Sequence, residues 1–530
     1  MTTNQVFDYI VVGSGSGGAA VANRLSADGV HTVLLLEAGG QDDRPEIHRT
    51  DAGSVLSLLT SDWSPQIDWG YVTEPEKGLD GRQIPVARGM VLGGCSSVNA
   101  LMWVRGNRAD YDGWSAAGNP GWSYDEVLPY FRRSESYSGP TTSPQQRGDS
   151  GPVSVLALRD PSRIARAFVT ATGGRGPAEG FDYNGDTQEG AGFFYQTIRT
   201  PRNRRASSAA AYLRPLADRP GLSIETGARA TRVVIEDQRA VGVEYVQDGV
   251  RRTGEARYEI VLSAGAFETP KLLMLSGIGP AAHLAEFGVP VVQHLPGVGA
   301  NLQDHPFVPV CFEAVEEHPA GALLSEAGLF TRTPAAAPDG PPDLQFTFGP
   351  VKFLPPEATA YQWAGPGFTF APIALQPRSR GEVRLADTDP ARPARVRANY
   401  LDDEADLDVL VHGVRLARRF AAHPAFAALR GIELSPGPAA SREEDIRAFV
   451  RANASTLWHP VGTARMGTGP DAVVDPQLRV HGLDGLRIAD ASVMPRIVSG
   501  NTHAPTVMIG EKAADLIIRS RSQHPAGGLS

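Results

Sequence analysis

The stretch 7–37 constrains the fold more than any other part of the chain. Its apolar run, 7–12, predicts a buried strand. Gly13, Ser14, Gly15 and Gly18 predict a tight turn, 19–25 a helix, and 32–36 a second strand that ends at Glu37. Each glycine answers a separate need: Gly13 permits the turn, Gly15 lets backbone N–H groups approach a pyrophosphate, and Gly18 lets helix and strand pack closely. Glu37 stands about 20 residues beyond the turn. There its carboxylate can accept hydrogen bonds from both ribose hydroxyls and would repel a 2′-phosphate. The unit predicts a dinucleotide site, with NADP the least suited ligand.

The rest of the chain sets bounds around that unit. Its 530 residues exceed one simple core, so two domains are expected. An apolar fraction of 42% and a charged fraction of 21% fit a globular protein, and a net charge of −9 argues against nucleic-acid binding. The one basic run, Arg199, Arg202, Arg204 and Arg205, reads as a solvated loop. Cys95 and Cys311 make neither a disulfide framework nor a metal cluster, so no metal is expected. With no basic leader before the first strand and no apolar run of membrane-spanning length, a cytoplasmic protein without a membrane span is expected.

A second strand-rich region begins near Leu222: 222–225 and 230–236 read as strands, 240–246 pairs with the latter as a hairpin, and 258–263 is apolar again. Near the end, 486–489 reads as a strand and 506–518 as a helix. Residues 403–455 are helical by pattern, with Leu407, Leu410, Val414, Leu416 and Phe420 on one stripe. Residues 138–150 and 334–342 read as loops, and the tail after Arg519 as disordered.

Three further segments carry a family resemblance. Residues 87–99, Ala-Arg-Gly-Met-Val-Leu-Gly-Gly-Cys-Ser-Ser-Val-Asn, and 265–279, Gly-Ala-Phe-Glu-Thr-Pro-Lys-Leu-Leu-Met-Leu-Ser-Gly-Ile-Gly, resemble the two signatures of the GMC (glucose–methanol–choline) oxidoreductases. Trp458-His459-Pro460-Val461-Gly462-Thr463, then 489–492 and 501–506, resembles that family's catalytic C-terminal region. The resemblance runs from about Asp8 to Ile518. In texture the chain is similar to choline oxidases, choline dehydrogenases and bacterial sugar-alcohol dehydrogenases. It implies an α/β plus α+β architecture, in which a Rossmann-like FAD-binding domain of discontinuous segments (1–155, 201–306, 465–530) carries a substrate-binding domain (156–200, 307–464) with a mostly antiparallel sheet.

The resemblance also implies the site. Gly93, Gly94, Ser96 and Asn99 would offer donors to the flavin and pyrophosphate. Ala38, Arg88, Ala100, Met102, Val233, Asp490, Ala491 and Thr506 would complete the cofactor contacts. Val98 departs from the choline oxidases, whose histidine there is covalently joined to flavin; valine cannot form that bond, so FAD is expected to be held non-covalently. His459 lies at the family's catalytic position, where a neutral imidazole accepts the hydroxyl proton as hydride leaves for flavin N5. His503 takes the second catalytic position, which is histidine or asparagine in the family. His305, in Asp304-His305-Pro306, reads as structural.

Substrate clues are mostly negative. Phe307 replaces the glutamate that holds the trimethylammonium head in choline oxidases. Thr347 replaces a further active-site histidine and is flanked by Phe346 and Phe348, whose faces could still meet a cation. With Trp458 beside His459, this pocket suits an uncharged primary alcohol. The expected function is FAD-dependent oxidation of that alcohol to the aldehyde, with oxygen or a quinone-like compound as electron acceptor, in a monomer or homo-oligomer. The alternatives are a choline-type dehydrogenase or oxidase, a non-redox hydroxynitrile-lyase-like member of the same fold, an NAD-dependent dehydrogenase resting on the first motif alone, and a flavin-storing protein without turnover.

Overall fold

The opening apolar run forms the strand it predicts. In a computed structural model that describes residues 5–59, 66–176, 181–216, 218–317, 323–353 and 365–523, β1 (Gln5–Val12) leads through the glycine turn into α1 (Ser16–Leu25) and then β2 (Val33–Leu36). β1 pairs in parallel with β2 on one side and with the strand Val250–Leu262 on the other. Leu222–Glu225 continues the parallel sheet beyond β2, and Leu486–Ile488 pairs in parallel with Val250–Leu262. Strands covered on both faces read as continuous apolar runs, as Ile10 to Val12 and Leu34 to Leu36 do; all six residues are buried.

An antiparallel pair, Ala228–Glu236 and Arg239–Gln247, extends this sheet to seven strands. The strand Val250–Leu262 starts eight residues before the apolar signal at Tyr258. Its first half is polar because it reaches out with the hairpin rather than into the core. The usable signal was Asp248-Gly249, both at positive φ (51° and 74°), a two-residue hairpin turn between Gln247 and Val250.

The second sheet is antiparallel and has eight strands. Its main order is Arg430–Ser435, Val310–Ala314, Gly367–Ala374, Leu344–Gly349, Ala327–Thr331 and Phe193–Phe194, while Pro306–Phe307 joins Gly367–Ala374 to Ser455–Thr456. The 403–455 region is not wholly helical. It holds the helices Glu404–Ala421 and Glu443–Asn453 with the edge strand Arg430–Ser435 between them, where Ile432 faces solvent. Leu407, Leu410 and Val414 are buried as the stripe predicts, whereas Leu416 and Phe420 are half-buried at its margin.

The last helix, His503–Gln523, begins three residues before the expected start and runs past Arg519; only 524–530 of the tail lie outside the described residues. It packs on α1 through glycine. A Cβ at Gly510 would lie 2.4 Å from the Gly17 carbonyl oxygen, and one at Gly17 would lie 2.1 Å from that of Ala489. This close approach carries His503 to the N-terminus of α1. The basic run is not a uniformly solvated loop: Arg205 is buried, and it donates to the carbonyls of Ile47 (2.7 Å) and Asn99 (2.6 Å). Burial lowers its pKa to about 9.

Candidate active site

One cavity runs from the glycine turn to the two histidines. At its first end, Gly13 (φ 96°) has its would-be Cβ only 2.4 Å from the Ser263 carbonyl oxygen, so the turn requires glycine. Gly15 caps α1 without a side-chain hydrogen bond, and a Cβ there would meet no atom within 4 Å. Uncapped helix N–H groups beside open space suit a pyrophosphate. Glu37 closes β2 on the same cavity wall. Its carboxylate accepts from the Ser14 amide (3.1 Å), the Ser14 hydroxyl and the Gly39 amide (2.8 Å), while burial pushes its pKa up.

Ala38, Arg88, Gly94, Asn99, Ala100 and Met102 carry the wall onward, with Asp490, Ala491 and Thr506 opposite in sequence but on the same cavity. This continuous channel, acidic at the ribose end and walled by small residues, fits FAD. Five residues expected to touch the cofactor stand behind the wall instead. Ser14 accepts from the Gly93 amide (3.0 Å) and so ties the two glycine turns together. Ser96 donates to the Gly93 carbonyl (2.6 Å) and accepts from the Ser208 amide (2.8 Å). Gly18 lets α1 pass over Gly13, whose carbonyl oxygen lies 1.9 Å from its would-be Cβ. Val233 is core, its amide bonded to the Ser276 hydroxyl at 2.8 Å. Val98 does border the cavity.

At the far end His459 and His503 share the wall, each 9% exposed. They make no direct hydrogen bond to one another. His503 Nδ1 lies 2.8 Å from Ser16 Oγ, its Nε2 is buried without a partner, and burial lowers its pKa to about 3. His459 Nδ1 lies 2.9 Å from His305 Nδ1, and its Nε2 lies 3.3 Å from the Asn501 amide nitrogen. Burial, then the His305 ring and the Arg88 guanidinium, hold the His459 pKa well below the ordinary value. Trp458 adopts φ 62°, a strained conformation for an indole residue, and thereby points its carbonyl at Arg88 Nη2 (2.7 Å).

Asp304, His305 and Asn501 were not among the predicted site residues. The signal was the Asp304-His305-Pro306 triplet, which reads as structural. Asp304 Oδ1 accepts from the amides of His305 and His459, both at 2.8 Å. Its Oδ2 accepts from the hydroxyls of Tyr400 (2.6 Å) and Thr456. One buried carboxylate therefore fixes the backbone of both imidazoles.

The substrate side is apolar. Phe307, Thr347 and Trp458 all border the cavity, and the Phe307 ring lies 5.8 Å from Phe353 and 6.4 Å from Trp458. Thr347 Oγ1 lies 2.8 Å from the Tyr195 hydroxyl. Phe346 and Phe348 do not flank the pocket. Alternation along their strand turns both away from the cavity into the second core, where Phe348 stacks on Phe168 at 4.6 Å. Among the described residues the wall carries the carboxylates of Glu37, Glu268 and Asp490. Protein donors hold all three: Tyr71 and Lys271 bind Glu268, and Gly265, Thr269 and Ser492 bind Asp490.

Residues 7–307 match the N-terminal GMC oxidoreductase family profile, and 377–510 match the C-terminal one. The chain belongs to the GMC oxidoreductase family. Such an enzyme takes FAD, which removes the NAD-dependent reading. This GMC oxidoreductase is 43% identical to an uncharacterized GMC-type oxidoreductase of Mycobacterium tuberculosis, over 96% of this chain and 99% of that one. It is 40% identical to an oxygen-dependent choline dehydrogenase of Rhizobium etli (96% and 95% covered) and 38% identical to an alcohol dehydrogenase [acceptor] of Pseudomonas putida (97% and 96%). Among solved structures it is similar to pyridoxine 4-oxidase from Mesorbium loti, with a TM-score of 0.88, 31% identity, and 98% and 100% of the two chains covered. Among the described residues no cluster of His, Cys, Asp and Glu could hold a metal ion, and no helix is long and apolar enough to cross a membrane.

Proposed function

We propose that this GMC oxidoreductase oxidises an uncharged primary alcohol to the aldehyde, with the His459/His503 pair accepting the hydroxyl proton. The observation that carries this reading is a pair of buried imidazoles on one largely apolar cavity wall. When bound, FAD supplies the acceptor for the carbinol hydride. An alcohol is a far weaker acid than imidazolium, so its proton must leave in step with the hydride, and a neutral imidazole within hydrogen-bond reach can take it. Burial keeps both rings neutral at physiological pH, ready to accept. The apolar ring of Phe307, Phe353 and Trp458 would hold the organic group and exclude water. We divide the chain into an FAD-binding domain (1–155, 201–306, 465–530) and a substrate-binding domain (156–200, 307–464), with the cavity between them. The decisive experiment is a screen of alcohols under anaerobic conditions, followed by flavin bleaching and repeated with oxygen and with a dye acceptor. A protein whose flavin no alcohol bleaches would instead be a non-redox member of the family.

The relatives named as choline dehydrogenases make choline the substrate to test first. Choline's quaternary cation needs a carboxylate or an open aromatic cage. Here the wall carboxylates are already bound, Phe346 and Phe348 point away, and the aromatic group beside the histidines is Phe307, Phe353 and Trp458 with no carboxylate among them. Steady-state kcat/KM is therefore expected to be higher for neutral primary alcohols of similar size than for choline. Phe307→Glu is expected to raise cation affinity. Choline as the better substrate of the wild-type protein would reject this reading of the pocket.

Val98 sets the second expectation. A valine side chain on the cavity wall offers no atom for a flavin linkage. Acid or heat denaturation is expected to release all the yellow colour into the supernatant. Colour that precipitates with the protein would show a covalent bond formed elsewhere on the wall.

A further inference from the structure

The structure assigns His305 as a positioning residue that fixes the proton of His459 on Nδ1 and leaves the ring's lone pair on Nε2, beside the Asn501 amide. This inference rests on the proposed alcohol oxidation and names which nitrogen takes the proton. His305 is fully buried, and its Nε2 lies 3.1 Å from the Leu375 carbonyl oxygen. A carbonyl oxygen only accepts, so Nε2 carries the hydrogen. A neutral imidazole has one N–H, so His305 Nδ1 is a lone pair. The ring is neutral because it is buried with no carboxylate to hold a charge: the adjacent Asp304 oxygens are occupied by two amides and two hydroxyls. Burial accordingly lowers the His305 pKa to about 3.

His305 Nδ1 faces His459 Nδ1 at 2.9 Å. Two lone pairs cannot face each other at that distance, so His459 Nδ1 donates. The neutral His459 ring then has its lone pair on Nε2. The other end agrees, since Nε2 lies 3.3 Å from the Asn501 amide nitrogen, a donor. His503 lacks such a device. Its Nδ1 meets the Ser16 hydroxyl, which can donate or accept, so that contact leaves either tautomer open. Of the two histidines, His459 is the one whose tautomer the protein fixes, and a substrate hydroxyl reaches its Nε2 by taking the place of the Asn501 amide.

The test uses the FAD-loaded protein with ¹⁵N-histidine and long-range ¹H–¹⁵N NMR, with His459 assigned from the signals lost in His459→Asn. The expected spectrum shows Nδ1 of His459 protonated and Nε2 bare. In His305→Ala the tautomers are expected to mix, and the limiting rate of anaerobic flavin reduction to fall roughly 10–100-fold at unchanged substrate Kd. His305→Asn, whose amide oxygen can accept near the place of Nδ1, is expected to restore most of the rate. A wild-type His459 protonated on Nε2, or a tautomer unchanged in a folded His305→Ala protein, would overturn the assignment; if His305→Ala does not fold, the wild-type spectrum decides alone. The expected tautomer together with undiminished flavin reduction in His459→Ala would reject the proposed base while leaving the role of His305 in place.

Discussion

Replacing His459 with alanine is expected to lower the rate of anaerobic flavin reduction by about 10²–10⁴-fold, the usual contribution of general-base catalysis, while FAD stays bound. The retained FAD follows from the fold: the glycine turns and Glu37 that would hold the dinucleotide come from other elements. His503→Asn should cost less than His503→Ala, because an amide can still orient the hydroxyl although it cannot take its proton. The pH profile is part of the same expectation. The groups that face His459 are the His305 ring, the Asn501 amide, the Arg88 guanidinium held on the Trp458 carbonyl, and Asp304 at the backbone. Burial, His305 and Arg88 all lower its pKa, so the neutral base already dominates at the ordinary histidine pKa of about 6.5. The kcat/KM profile should thus stay level above about pH 6.5 and fall only in acid, as His459 gains its proton. Stopped-flow reduction across pH reads both effects. Wild-type-like reduction in a folded, flavin-loaded His459→Ala protein would rule the mechanism out.

What the sequence shows about this site, and what it hides, follows chain distance. The glycine turn and Glu37 are legible because strand, turn, helix and acid lie within one short unit, where spacing fixes geometry. His459 and His503 are legible through motifs, each read beside its immediate neighbours. The contacts that orient them are not. His305 and His459 are 154 residues apart, and Ser16 and His503 are 487 apart, yet the side chains of each pair are in contact. No local pattern marks Asp304 as the carboxylate that holds both imidazole backbones, because its partners come from four separate positions.

Strands show the same limit in another form. Arg430–Ser435 and the first half of Val250–Leu262 carry edge or surface positions, so their apolar alternation is weak and the flanking patterns absorb them. Resemblance puts Thr347 on the cavity wall, and adjacency alone would put Phe346 and Phe348 there with it. On a strand, adjacency means opposite faces. Ser14, Gly18, Gly93, Ser96 and Val233 belong to the same loops and strands as the cavity-lining residues but lie one layer behind the wall, where they shape the turns that reach it.

The two glycines of the first turn should separate folding from cofactor binding. Gly15→Ala adds a methyl group that meets no protein atom within 4 Å, at φ −67°, which alanine adopts freely. Its effect on the flavin-free protein should stay under about 1 kcal/mol, since the small gain from a stiffer unfolded chain opposes the loss of glycine at a helix cap. The methyl instead occupies the space beside the uncapped amides of α1, where the pyrophosphate would lie. An overpacking penalty of about 1–3 kcal/mol there corresponds to FAD binding weakened roughly 5–150-fold. Gly18→Ala is the converse. Its Cβ would lie 1.9 Å from the Gly13 carbonyl oxygen and 2.9 Å from Ser263 Cβ, so α1 must move off the sheet and the flavin-free protein itself should melt earlier. Thermal unfolding after FAD removal, followed by fluorescence titration with FAD, measures the two effects separately. A Gly15→Ala protein that binds FAD as tightly as wild type would move the pyrophosphate away from the N-terminus of α1. A Gly18→Ala protein with wild-type melting would show that the turn relaxes around the added methyl.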